Sequence, residues 1–112
     1  MIEKLSASLR ERAERCAPGE IVTSAIVFAE VARGTDWANE QAAGLVNEFF
    51  EAVAVLPFDR PAALFYGELP FIRHRFDRLI AAHALAHDLT LVTANPRDFR
   101  DIPNLQVEDW TK

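Results

Sequence analysis

A chain of 112 residues is long enough for one domain that buries its own core without disulfides or a structural metal. It is half hydrophobic with no low-complexity tract, which excludes a disordered chain, and its formal charge of -5 excludes a protein that coats duplex nucleic acid by bulk electrostatics. The single Cys16, the lack of a charged-then-apolar leader and the lack of any apolar run near the roughly 18 residues of a membrane span lead to the expectation of a cytoplasmic protein with no membrane association.

In chain order, residues 2–15 read as an amphipathic helix with Ile2, Leu5, Leu9 and Ala13 on one stripe, stopped by Pro18-Gly19. Ile21-Val22-Thr23 reads as a short strand, and Ser24 as the N-cap of a helix running through Arg33 to Gly34. Asp36 is the expected cap of the next helix, whose apolar stripe is Leu45, Val46, Phe49, Phe50 and Val53. Residues 54–58 form a second expected strand, and Asp59 caps a helix over 61–68 with Pro61 in its first turn. A helix over 75–87, a strand over 89–93, a single helical turn at 96–99 and a last strand at 105–107 complete the pattern. Short apolar strands alternating with helices indicate a parallel sheet covered on both faces, an α/β fold, with ligands collecting beyond the carboxyl ends of the strands.

Three carboxylates follow that rule. Glu30 stands within Ala25-Ile26-Val27-Phe28-Ala29-Glu30-Val31-Ala32, where its apolar neighbours suggest burial. Asp77 opens the helix after Phe76, where the macrodipole favours an acid for purely structural reasons as well. Asp98 follows the third strand in a Pro-Arg-Asp-Phe turn that also suits a surface acid. Unpaired acids in apolar surroundings are costly, so they are expected to converge on a cation or to stay wet at a rim. Convergent carboxylates without nitrogen ligands suit a hard ion, magnesium or manganese, and that points to metal-assisted phosphodiester chemistry.

Thr93 and Asn95 end the third strand and can support such a site, although turn formation explains Asn95 equally well. Arg73, His74, Arg75 and Arg78 are the one dense basic cluster, with RNA contact and a plain solvated loop weighed evenly. His83 and His87 share a helix face, but no third zinc ligand is evident along the chain, so structural histidines are preferred. Cys16 has no nucleophile context, the glycines form no phosphate loop, and Trp37 and Trp110 read as packing residues.

Two stretches carry a family resemblance, Phe76-Asp77-Arg78-Leu79-Ile80-Ala81-Ala82-His83-Ala84 and Leu91-Val92-Thr93-Ala94-Asn95-Pro96-Arg97-Asp98-Phe99. Together with Thr23-Ser24 through Glu30 and Val55-Leu56-Pro57-Phe58-Asp59, they resemble the PIN-domain ribonucleases, in particular the VapC-like toxins of bacterial toxin–antitoxin pairs. The resemblance implies a three-layer α/β/α fold and magnesium- or manganese-dependent hydrolysis of RNA. It matches Glu30 and Asp77 to the second and third family acids and Asp98 to the acid that often completes the site. It further implies a cognate antitoxin as partner and a homodimer. The chain departs from the family at its start, because the family opens on a strand ending in a metal-binding aspartate, whereas Met1 is read here as leading straight into a helix. The expectation is therefore a single, N-terminally truncated domain over 1–112 that lacks the first strand. Its alternative reading is a catalytically inactive PIN-like module that binds a partner protein or RNA.

Overall fold

The computed structural model describes residues 1–3, 7–17, 19–71 and 75–110, and for 7–10 the backbone alone. Among them five helices and four strands follow in chain order: α1 Ala7–Glu14, β1 Val22–Ser24, α2 Ala25–Gly34, α3 Glu40–Ala52, β2 Ala54–Leu56, α4 Arg60–Glu68, α5 Asp77–Ala86, β3 Leu91–Thr93 and β4 Val107–Asp109, with a 3-10 turn at Pro96–Phe99. Local chemistry sets most of these boundaries. The Ser24 hydroxyl accepts the Ile26 N–H and starts α2, and Asp59 accepts the Ala62 N–H and starts α4. Asn39, rather than the expected Asp36, caps α3 by accepting from Gln41 and Ala42; Asp36 instead accepts from Ala38, closing the turn before it.

The strands are parallel. β1 pairs with β2 in the register Val22 to Ala54, and β3 with β4 in the register Leu91 to Val107. What joins the two pairs is the start of the chain. Among the described residues no full strand precedes β1, but the helix expected from residue 2 is described only from Ala7, and Met1-Ile2-Glu3 lie extended between β1 and β3. Ile2 bridges in parallel to both Thr23 and Val92. The Ile2 amide donates to the Val22 carbonyl and the Glu3 amide to the Val92 carbonyl, each at 3.0 Å. The Val92 amide donates to the Met1 carbonyl at 2.8 Å, and the Thr23 hydroxyl to the Ile2 carbonyl at 2.9 Å. The slot expected to be vacant is thus filled by three residues, which satisfy backbone groups that an open slot would orphan inside the sheet. The order across the sheet is β2, β1, residues 1–3, β3, β4.

Pleating sends alternate side chains to opposite faces. Met1 enters the core shared with Val27 of α2 and with Ile80, Ala81 and Ala84 of α5, while Ile2 enters the core shared with Ala13 of α1 and Phe49 of α3. Helices therefore cover both faces, giving the three layers that a parallel sheet requires. The fully buried alanines 81, 82 and 84 let α5 lie close against its neighbours, among them α4. Among the described residues no helix is long and apolar enough to cross a membrane.

Candidate active site

The sheet connections run outward in opposite directions from its centre, so the crevice beyond the carboxyl ends of β1, residues 1–3 and β3 is the expected place for a ligand. An open cavity of about 260 Å³ lies there, lined by Glu3, Glu30, Arg75, Phe76, Asp77, Ile80, Asn95 and Asp98. All three acids proposed from the sequence meet in it. Each arrives on a different element: Glu30 on α2, Asp77 in the first turn of α5, and Asp98 on the 3-10 turn after β3.

Glu30 is exposed rather than buried, and this corrects the expectation drawn from its apolar neighbours. Val27, three residues earlier, takes the core position, and one turn further on the helix surface opens onto the cavity rim. Asp98 and Asn95 are likewise exposed at the rim. Asp77 is the more enclosed wall, its side chain 15% exposed.

The fourth acid, Glu3, escaped the sequence reading. It is buried at 9% exposure, on the extended segment at the middle of the sheet. Following Ile2 in a pleated run, it faces the same side as Met1, toward α2 and α5. Thr93 holds it there: the Thr93 hydroxyl donates to Glu3 Oε2 at 3.2 Å and accepts the Asn95 amide at 3.0 Å. Thr93 thus touches Glu3 and the turn that carries Asn95. Glu3 occupies the place in the sheet where the resemblance calls for an aspartate.

The basic residues separate into distinct roles. Arg75 grips Asp77 with both ends of its fork, Nη2 at 2.6 Å and Nε at 3.0 Å, and this contact holds its guanidinium more firmly protonated than usual. It also donates to the Asp98 carbonyl at 3.3 Å. Arg78, expected as a possible RNA contact, is buried at 3% exposure and donates to Asp101 at 2.8 Å, so it faces the core of the fold and not a solvent surface. That guanidinium, by donating a hydrogen bond, holds the Asp101 carboxyl below its ordinary range. Arg73 lies outside the described residues.

Four carboxylates from four segments, with no histidine or cysteine among the described residues of the cavity wall, make an oxygen-only donor set that fits a hard divalent cation such as magnesium or manganese. The Arg75 fork on Asp77 offsets part of the repulsion among the acids, and a bound cation would offset more of it.

Comparison with known proteins agrees with this geometry. The model of the PIN domain family matches residues 3–105. Ribonuclease VapC2 of Rickettsia felis is 36% identical over 101 residues, covering 82% of this chain and 75% of that protein. A tRNA(fMet)-specific endonuclease VapC of Shigella flexneri is 29% identical, covering 98% and 89% of the two chains. The solved structure of VapBC-1 from nontypeable Haemophilus influenzae superposes with a TM-score of 0.76 at 28% identity over the whole of both chains. With a parallel α/β sheet, acids gathered at its carboxyl edge and a family match over nearly its full length, the chain belongs to the PIN-domain family and is similar to the VapC ribonucleases within it.

Proposed function

We propose that this protein is a metal-dependent endoribonuclease, the toxin of a type II toxin–antitoxin pair, with Glu3, Glu30, Asp77 and Asp98 holding magnesium or manganese. The observation that carries this reading is the meeting of those acids, drawn from four separate segments, on one cavity at the switch point of the sheet. A bound ion would polarise the scissile phosphate and activate water for attack on it. Glu3 and Asp77, the enclosed pair, would fix the ion at the floor, while Glu30 and Asp98 at the rim have room to meet the substrate side. Asn95 offers an amide to a phosphate oxygen there.

The Shigella relative is named for cleaving a tRNA, which favours a structured RNA as substrate here. Arg75, about a third exposed and already at the cavity, is suited to a phosphate contact, together with Arg73. The VapBC structures favour a cognate antitoxin as partner. Phe71, Leu64 and Phe76, each more than 60% exposed, supply apolar surface for it or for the homodimer that we also propose. The setting we propose is the cytoplasm. The inactive-module alternative loses its chief support with Glu3 in the cavity.

Cleavage of a mixed RNA pool by the purified chain, with manganese and with EDTA, tests this directly. Cleavage should require manganese and disappear in Asp77→Asn while the circular dichroism spectrum stays native. Undiminished cleavage by that variant, or cleavage in EDTA, would overturn the assignment.

Arg75 competes with the ion for Asp77. A partly exposed ion pair is worth roughly 0.5–1 kcal/mol, so Arg75→Gln should tighten manganese binding about two- to fivefold in calorimetry. Weaker binding in that variant would show that Arg75 shapes the site instead of blocking it.

A further inference from the structure

We infer that Asp59, His83 and His87 form a second metal site, for one borderline divalent transition ion of the zinc class, separate from the carboxylate cavity. One ring nitrogen from each histidine and one oxygen of Asp59 lie within 4.8 Å of one another. The histidines are four residues apart on α5, a spacing that puts both rings on one helix face; their centroids are 5.2 Å apart. Asp59 comes from the distant start of α4, with its Oδ2 at 2.7 Å from His87 Nε2. The chain thus supplies the third ligand that its linear spacing did not reveal.

His83 points to a ligand independently of the cluster. Its side chain is wholly buried, and its Nε2 has no hydrogen-bond partner. Buried imidazoles normally satisfy both nitrogens. The other nitrogen, Nδ1, lies 2.8 Å from the Ser24 hydroxyl, which also accepts the Ile26 amide. A hydroxyl oxygen has two lone pairs and can accept both N–H groups. The contact accommodates the tautomer with the proton on Nδ1 and a lone pair on Nε2, the form in which a histidine binds a metal while its far nitrogen is anchored. The Pro57 carbonyl also acts on His83, but outside hydrogen-bonding geometry with Nε2, and burial outweighs it in disfavouring the charged ring.

Two imidazoles and a carboxylate are a donor set for zinc, nickel, cobalt or copper, unlike the all-oxygen cavity. Ligand atoms at about 2.0–2.1 Å around a tetrahedral zinc stand roughly 3.3 Å apart. The present separations, from 2.7 Å to at most 4.8 Å, bracket that value, so small side-chain adjustments suffice. His87 and Asp59 are each about a third exposed, which gives an ion access and leaves room for water as a fourth ligand. Such an ion would tie the start of α4 to the end of α5, next to the Ser24 cap of the helix that carries Glu30.

The test is zinc titration of the chelator-treated full chain by calorimetry in excess magnesium, with cobalt(II) absorption as a second readout. Native protein and Asp77→Asn should each bind one zinc equivalent, melt at a higher temperature with it, and give visible cobalt bands typical of nitrogen ligation. His87→Ala should lose that equivalent, the bands and the melting shift, its affinity falling about a hundredfold or more, beyond what loss of an outer-shell partner costs. Asp59→Asn, which keeps a capping oxygen for α4, should weaken binding without unfolding the chain. No zinc equivalent in the native protein, or the same equivalent in His87→Ala, overturns the inference.

Discussion

Glu3→Gln is expected to lower manganese-dependent RNA cleavage by about a hundredfold or more, the scale seen when one preorganised charge-stabilising group is removed from an active site. The substitution keeps the shape of the side chain and an oxygen that can accept from Thr93, so what it removes is one negative charge at the cavity floor. Glu30 and Asp98 are exposed at the rim and Asp77 carries the Arg75 fork, while Glu3 is buried on the central segment of the sheet. Glu3→Asp restores the charge on a side chain shorter by one methylene and should recover part of the activity. Steady-state cleavage rates across a manganese series check both variants. If Glu3→Gln cleaves as fast as the native chain at every manganese concentration, Glu3 is only a packing residue and three acids carry the chemistry.

How much of this was legible in the sequence depends on how local the physics is. Ser24 and Asp59 read correctly as caps because an N-cap acts on amides two or three residues away. That Glu30, Asp77 and Asp98 would converge was legible because parallel α/β sheets gather ligand-facing groups at one edge, and the three line one cavity. Glu3 was missed for a definite reason. Ile2, Leu5, Leu9 and Ala13 fit a helical stripe, and nothing local says that residues 1–3 instead pair with strands some 20 and 90 residues distant. The Asp59–His83–His87 cluster has the same character, since one of its three residues lies 24 positions before His83. The last strand lies at Val107–Asp109, two residues beyond the expected 105–107, because its register is set by pairing with Leu91–Thr93 and not by its own apolar pattern.

Ile2→Ala should destabilise the fold by about 2–5 kcal/mol, the range for emptying a buried branched aliphatic site. Ile2 has no exposed surface, packs with Ala13, Ile21, Phe49 and Val92, and sits on the segment that joins the two halves of the sheet. Collapse around the cavity is restricted on two sides, because the Ile2 amide is bonded to Val22 while its neighbours Met1 and Glu3 are bonded to Val92. A large truncation at an exposed site should behave oppositely: Phe71→Ala, at 79% exposure, should change stability by no more than about 0.5 kcal/mol. Urea denaturation of the two variants beside the native chain makes the comparison at constant m-value. The loss should also reach the active site, because a loosened residue 2 frees Glu3, so Ile2→Ala should lose cleavage under conditions where it is still mostly folded. An Ile2→Ala protein as stable and as active as the native one would mean that residues 1–3 lie on the sheet without holding it together.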